Sequence, residues 1–115
     1  MEEFLARLEG LIDYEGIRPT SVNERSLVGE TPLHFAARWG DIKVGEILLQ
    51  IGADPNAHGE YGNTPLLEAL YRRHYGFIKL LLSHGASKEL KNDDGESPMD
   101  LLKLENDPKL NDLFQ

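Results

Sequence analysis

Four histidines are the side chains of this sequence best suited to chemistry, since imidazole can bind a metal ion or carry a proton near neutral pH. They are His34, His58, His74 and His84, and they are widely spaced along the chain. No two of them stand four residues apart, the spacing at which two imidazoles on one helix face can share a zinc ion. Because the sequence also contains no cysteine, it predicts no metal site and no cofactor.

The other candidate catalytic groups lack the neighbours that catalysis requires. Ser83 precedes His84, but the G-x-S-x-G turn of serine hydrolases is absent, and adjacent helix residues are expected to point in different directions. Asp93 and Asp94 fall on a predicted turn, where they are more simply solvated turn formers than an acid–base pair. Neither glycine-rich nucleotide-binding pattern occurs. We therefore predict no catalytic residue and expect a protein that is not an enzyme.

Composition and charge restrict the class of protein. The chain has 115 residues, of which 40% are hydrophobic and 28% charged, as in one soluble globular domain. The net charge of −8 disfavours nucleic acid and favours a neutral or basic partner. The N-terminal segment carries acids where a signal peptide needs bases, and the longest dense apolar stretch, Phe77 to Leu82, is far too short for a membrane span. We expect a cytoplasmic protein that does not contact membranes.

A regular period of thirty-three positions organises the sequence. Three glycines and three hydroxyl–proline pairs recur at this distance: Gly29, Gly62 and Gly95, and Thr31-Pro32, Thr64-Pro65 and Ser97-Pro98. Glycine suits the positive φ of a tight turn, the hydroxyl residue can cap a helix, and proline suits the first helical position. Paired leucines and a Gly-Ala step repeat at the same distance further along. Each unit is therefore predicted to contain a turn, a helix, a second turn and a second helix.

The repeated motif resembles a known family. The first unit contains ETPLHFAARWGDIKVGEILLQIGADPNA, and the second keeps GNTPLLEAL and KLLLSHGAS. The Thr-Pro-Leu-His start, the paired leucines and the Gly-Ala-Asp end are similar to the ankyrin repeat. The resemblance implies an all-α solenoid in which helix-turn-helix units are joined by β-hairpin-like turns, and it implies that the chain binds protein.

We predict one domain over residues 1–115, with two full repeats between two capping units. The repeats span 26–58 and 59–91, the N-terminal cap spans 1–25, and the C-terminal cap spans 92–115. Phe4, Leu8, Leu11 and Ile12 form an amphipathic stripe on the first cap. In the last unit, Asn106 replaces the glycine that ends the first helix. Solenoids need caps because each unit buries its apolar face only against its neighbours.

Two departures from the repeat pattern predict local differences between the units. His34 becomes Leu67 and then Asp100, so the hydroxyl-to-imidazole bond of the family motif can form only in the first unit. Gly40 becomes Arg73, for which the left-handed conformation is costly. The turn between the two helices of the second unit is therefore expected to differ and to be looser.

The second helix of the first unit is expected to be sandwiched between neighbours. Its apolar residues occupy most of its circumference. They are Ile42, Val44, Ile47, Leu48 and Ile51.

The ankyrin resemblance implies a concave groove, lined by the hairpin tips and by the exposed side of each first helix, as the surface that binds a partner. The residues at these positions are Leu27, Val28, Glu30, Arg38, Trp39 and Ile51 in the first unit, Glu60, Tyr61, Asn63, Tyr71, Arg72 and His84 in the second, and Asp93, Asp94, Glu96 and Leu104 in the third. Glu30, Glu60, Asp93, Asp94 and Glu96 are expected to form an acidic edge, which suits a basic partner.

Five of these residues are expected to dominate binding: Trp39, Tyr61, Tyr71, Arg38 and Arg72. Tryptophan, tyrosine and arginine are the types most enriched among interface hot spots. The alternative is that Trp39 and Tyr71 only pack against adjacent helices, since singly exposed aromatic residues are common.

The sequence thus predicts a non-enzymatic module, monomeric when free, that binds another protein by occlusion or scaffolding. One alternative, based on small size and acidic charge, is a dedicated inhibitor such as a bacterial immunity protein that neutralises a basic toxin. A remote alternative is a metal-dependent enzyme, for which no nucleophile, base and orienting group are assembled.

Overall fold

The structure of the protein, a computed structural model, describes residues 29–114. Its helices form three consecutive pairs: α1 (Pro32–Trp39) with α2 (Ile42–Gln50), α3 (Pro65–Arg72) with α4 (Tyr75–Ser83), and α5 (Pro98–Glu105) with α6 (Pro108–Leu113). A short 3-10 helix, Glu60–Gly62, precedes the second pair, and no residue in the described range is in a β-strand. The N-terminal cap predicted over 1–25 and the start of the unit predicted over 26–58 lie outside the described residues.

The first helix of each pair begins where the hydroxyl–proline motif predicts. Thr31, Thr64 and Ser97 have extended backbones and precede the first helical residue, which is proline in each case. Thr64 Oγ1 accepts a hydrogen bond from the backbone N–H of Leu67 at 3.3 Å. Ser97 Oγ accepts one from the backbone N–H of Asp100 at 3.2 Å. These bonds satisfy helix N–H groups that have no partner within the helix, so the repeated motif positions three equivalent helices.

These three helices also end alike, and one prediction about their ends is wrong. Gly40, Arg73 and Asn106 all lie in the left-handed region, with φ of 69°, 56° and 49°. The prediction for Asn106 is confirmed, whereas the predicted difference between the turns at Gly40 and Arg73 is not observed. Both N–H groups bond to the carbonyl three residues earlier, at 3.2 Å and 3.1 Å. Arg73 Nη1 also donates to Asp107 Oδ2 at 2.9 Å, which helps to offset a steric cost of roughly 1–2 kcal/mol.

The helix pairs stack side by side. Helix α1 packs against α3 and α3 against α5, while α2 packs against α4 and α4 against α6. The core between these layers contains side chains with no exposed surface, among them Leu33, Leu48, Leu66, Phe77, Ile78 and Leu81. The tips that join the pairs close as hairpins. In the second tip, which precedes α3, Gly59 N–H donates to Asn63 O at 2.8 Å; in the third tip, which precedes α5, Asn92 N–H donates to Glu96 O at 2.9 Å. The predicted all-α solenoid with hairpin-like connections is confirmed.

Helix α2 is less buried than its composition predicts. Val44 and Leu48 are buried, but Ile42, Ile47 and Ile51 are 40%, 38% and 42% exposed. The prediction of a helix sandwiched between neighbours is therefore wrong for these three residues. The reason is geometric: α1 and α4, its packing neighbours among the described elements, cover one side of the helix only.

Candidate protein-binding surface

Large exposed side chains lie on the first helices and on one hairpin tip. Trp39 at the end of α1 is 50% exposed, and Tyr61 on the second tip is 69% exposed. Tyr71 on α3 and Leu104 on α5 are 44% and 75% exposed, and they occupy the same position of successive repeats, one period apart. Arg72, which follows Tyr71, is also exposed. We call these five residues the groove surface.

Tyr61 sits on a strained and fixed backbone. Its φ of 60° and ψ of 18° place it in the left-handed region, which costs an L-residue other than glycine, asparagine or aspartate roughly 1–2 kcal/mol. The carbonyl of Tyr61 accepts a hydrogen bond from Asp93 N–H at 3.0 Å. The neighbouring Gly62 packs closely against Asp93, because a Cβ added at Gly62 would lie 2.5 Å from Asp93 Oδ1. The second and third tips therefore hold each other in place.

Tyr71 is held by a network that links the second and third units. Its hydroxyl donates to Glu96 Oε1 at 2.8 Å. Asn92 Nδ2 donates both to the Tyr71 hydroxyl oxygen and to Asn63 Oδ1, each at 3.0 Å. Partial burial raises the pKa of Tyr71 to about 12, and the hydrogen bond to Glu96 acts in the same direction. The hydroxyl of Tyr71 is therefore engaged within the chain, and its ring is what the surface presents.

Arg38 and Glu30 were predicted to face solvent, but Glu30 is buried and Arg38 is largely covered. Arg38 Nη2 donates to Glu30 Oε1 and Oε2, both at 2.7 Å, and to Glu68 Oε2 at 3.0 Å. The Glu30 side chain has no exposed surface, and the Glu68 side chain has 9%. Burial alone would lower the pKa of Arg38, but the bonds to Glu68 and Glu30 outweigh it and raise that pKa. These residues seal the junction between the first two units, which corrects their assignment to an open groove.

Glu68 is the residue that sequence reasoning missed. It stands one period after Phe35 and one period before Leu101, so an acid occupies a position that is apolar in the other two units. Buried acids are rare unless they are paired. An acid at this repeat position was the signal that could have identified the cluster with Arg38.

The remaining predicted surface residues are placed as follows. Arg72, Asp93, Asp94, Ile51 and His84 are exposed, and Glu60, Asn63 and Glu96 are partly buried. Leu27 and Val28 lie outside the described residues. The acidic edge therefore consists of Glu60, Asp93, Asp94 and Glu96, without Glu30.

His34 and His74 have structural roles. His34 Nδ1 accepts from Thr31 N–H at 3.1 Å and lies 2.8 Å from Thr31 Oγ1, while Nε2 donates to Asn63 O at 2.9 Å. In the second unit Leu67 takes this position and is buried, so the predicted restriction of the imidazole bond to the first unit is confirmed. His74 Nε2 donates to Arg38 O at 3.0 Å.

The Ser83–His84 pair forms a contact that was not expected. Ser83 Oγ lies 3.2 Å from His84 Nδ1, so the prediction that these side chains diverge is wrong. The hydroxyl also donates to Leu80 O at 2.7 Å, and His84 Nδ1 lies 3.1 Å from the same carbonyl oxygen. His84 Nδ1 thus contacts a backbone carbonyl, and within residues 29–114 no carboxylate takes the place of the acid that orients the base in a serine triad.

Neither a metal-binding cluster nor a membrane-spanning helix occurs in the described range. Among residues 29–114 no group of three or more histidine, cysteine, aspartate or glutamate side chains is arranged to hold a metal ion. None of the helices in the same part of the chain is long and apolar enough to cross a bilayer.

Comparison with known proteins places these features in a family. A family model described as "Ankyrin repeats (3 copies)" matches residues 4–98. The Drosophila melanogaster "Ankyrin repeat and KH domain-containing protein mask" is 44% identical over 84 residues, which cover 71% of this chain and 2% of the relative. A "Putative ankyrin repeat-containing protein" of Treponema pallidum is 43% identical over 75 residues, 65% of this chain and 25% of the relative. The chain thus spans at most a quarter of the length of these two relatives.

Proposed function

The chain belongs to the ankyrin-repeat family, and from this premise we propose that it binds another protein through its groove surface and catalyses no reaction. The observation that supports the site is the exposure of Trp39, Tyr61 and Tyr71, by 50%, 69% and 44%. Aromatic residues bring a large contact area at little entropic cost, which is why they are frequent at hot spots. Leu104, 75% exposed, extends the apolar contact area to the third unit.

The acidic edge supports a basic partner. Glu60, Asp93, Asp94 and Glu96 lie on the tips that border the groove surface, and the whole chain carries a net charge of −8. Complementary charge of this kind raises association rates and suppresses wrong partners more than it raises affinity. A dedicated inhibitor of a basic enzyme is the sharper form of this proposal, and it requires a tight complex of one chain with one enzyme. We place the module in a reducing cytoplasm, because the chain has no cysteine, and we propose that it is a monomer when free.

Photo-crosslinking from the groove surface tests the proposal. A benzophenone amino acid replaces Tyr61, whose exposed side chain makes a replacement tolerable, and the crosslinked protein is identified from the source organism by mass spectrometry. The identified protein is then purified, and its affinity is measured by calorimetry for the unmodified chain. We expect a specific complex whose dissociation constant rises at least about tenfold in the Trp39→Ala, Tyr61→Ala double variant, because hot-spot truncations typically cost about 2 kcal/mol or more.

Matched controls separate a loss of contact from a loss of fold. Ile47→Ala removes an exposed apolar side chain from α2, a helix that carries none of the five groove-surface residues, and should leave the affinity unchanged. Circular dichroism of each variant reports whether the helices persist. A partner that binds the double variant as tightly as the unmodified chain, or loses affinity with Ile47→Ala instead, contradicts the assignment of the site.

A further inference from the structure

The two junctions between repeat units are built differently, although equivalent positions meet at each. At the first junction Arg38 reaches across to Glu68 and fills the space between α1 and α3 with an ion pair. At the second junction the residues one period later are Tyr71 and Leu101. Tyr71 turns its hydroxyl towards Glu96 on the third tip, and Leu101 is an apolar side chain that cannot pair with it. The arginine–glutamate pair of the first junction therefore has no counterpart at the second.

A cavity opens at this second junction. Its volume is about 170 Å³, and it is lined by Leu70, Tyr71, Arg73, Leu101 and Leu110. The three leucines are 6%, 9% and 2% exposed and form an apolar floor. An apolar cavity of about 150 Å³ is large enough to hold benzene. The cavity therefore has room for the side chain of a leucine, methionine or phenylalanine.

The charges around the cavity define what could flank such a side chain. Arg73 on its rim already pairs with Asp107 at 2.9 Å. On the other side of the cavity, the Tyr71 hydroxyl donates a hydrogen bond to Glu96 of the third tip. The exposed acids Asp93 and Asp94 belong to the same tip. Arg72 and Lys91 are exposed cations of the same region, but these three carboxylates outnumber them, so the local charge favours a cation on the ligand over an anion.

We infer that this cavity is the anchor pocket for a single leucine, methionine or phenylalanine side chain of the partner, carried on a segment with a lysine or arginine close by. The inference rests on the proposed function and names the chemistry of its partner. Hot-spot side chains typically insert into a pocket of the partner, where they lose their water and are surrounded by weaker contacts. The pocket supplies apolar burial, and the acidic third tip selects the neighbouring basic residue.

A peptide selection tests the pocket and requires no identified partner. A phage-displayed library of random peptides is selected on the full chain, and each enriched peptide is then titrated against the variant Leu101→Trp. Leu101 lines the cavity and is not a groove-surface residue, so the larger side chain fills the cavity and leaves the groove surface unchanged. We expect the enriched peptides to combine one large apolar residue with a nearby lysine or arginine, and to bind the filled variant at least about tenfold more weakly by calorimetry.

A change in the peptide keeps the test valid even if the filled variant does not fold. Replacing the apolar residue of an enriched peptide by serine should weaken its binding to the unmodified chain at least about tenfold, since the burial of one large side chain is lost. Replacing its basic residue by glutamate should weaken binding as well, and more so at low salt.

The outcomes distinguish the pocket from the groove. Peptides that lose affinity in the Trp39→Ala, Tyr61→Ala variant but tolerate both the filled cavity and the serine replacement overturn the pocket and leave the groove proposal standing. Peptides indifferent to all of these changes contradict both. A selection that yields no peptide weakened by the filled variant, or only acidic peptides, also overturns the inference.

Discussion

Arg38 Nη2 and Glu68 Oε2 lie 3.0 Å apart across the junction of the first two units, and only 23% and 9% of their side chains are exposed. The same guanidinium nitrogen bonds to both oxygens of Glu30, which has no exposed surface. A cluster of this kind stabilises little relative to an apolar core, but it becomes costly when one member is removed, because a buried charge is then left uncompensated.

We therefore predict that Arg38→Ala destabilises the protein by about 3 kcal/mol or more. The free energy of unfolding is measured by urea denaturation followed by circular dichroism. Arg72→Ala is the matched control, since Arg72 also lies near the end of a first helix but is exposed, and it should cost less than about 0.5 kcal/mol. Equal effects of the two substitutions would show that the cluster has no special role in stability.

Replacing Tyr61 should reveal the strain at the second tip. Tyr61→Asn is expected to raise the free energy of unfolding by about 1 kcal/mol, because asparagine tolerates the left-handed region better. Tyr61→Phe keeps the same backbone problem and removes only a hydroxyl from a side chain that is 69% exposed, so it should leave stability unchanged. A Tyr61→Asn variant no more stable than Tyr61→Phe would argue that the tip is unstrained.

Two glycines on second helices should respond in opposite ways to alanine. A Cβ at Gly45 would lie 2.6 Å from a ring atom of Phe77, which is fully buried, whereas a Cβ at Gly76 would lie 2.6 Å from the terminal methyl of Ile42, which is 40% exposed and can move. Overpacking costs about 1–3 kcal/mol, and alanine gains up to about 1 kcal/mol in helix propensity. Gly45→Ala should destabilise the protein and Gly76→Ala should leave it unchanged or stabilise it, as measured by thermal unfolding.

The acid dependence of stability should involve Asp107. The hydrogen bond from Tyr75, together with those from backbone N–H groups and the charge of Arg73, holds the pKa of Asp107 below its ordinary value of 3.8. A carboxylate with a lowered pKa stabilises the folded state above the unfolded pKa, and this stabilisation is lost as the pH falls through the folded value. Asp107→Asn should therefore be less stable than the unmodified chain above pH 3.8, with a difference that shrinks at lower pH.

Urea denaturation at a series of pH values measures this difference. The control is Asp112→Asn, an exposed acid within α6, the helix that Asp107 caps. Its stability should run parallel to that of the unmodified chain across the acid range. A constant gap for Asp107→Asn at every pH would mean that the asparagine perturbs packing and that the carboxylate charge is unimportant.

The starts and ends of the first helices could be predicted from the sequence, because they depend on residues that are close together in the chain. The starts of α1, α3 and α5 follow from Thr31, Thr64 and Ser97 with their following prolines, because capping involves residues three positions apart or fewer. The left-handed end at Asn106 was predictable for the same reason. Arg73 shows the limit: its steric cost is a local property, but its bond to Asp107 in the next unit is not.

The candidate site was harder to predict because exposure depends on contacts between units. Glu30 and Arg38 have the residue types of a solvated tip and a hot spot, yet Arg38 pairs with both Glu30 and Glu68 of the next unit, and the three form a largely buried cluster. Ile47 shows the opposite case, an apolar side chain left 38% exposed because the elements around it cover other faces of its helix. The position of a residue within the repeat predicts the direction in which its side chain points. Whether that side chain is buried depends on the residues that the adjacent unit brings next to it.

The bonds that complete the first unit have consequences for its biosynthesis. His34 Nε2 donates to the carbonyl of Asn63, and Arg38 pairs with the carboxylate of Glu68, both of which belong to the next unit along the chain. A nascent chain leaves the ribosome from its N-terminus, so these donors emerge well before Asn63 and Glu68 do. The first unit therefore cannot complete these polar contacts until α3 has left the exit tunnel, and until then water satisfies His34 and Arg38.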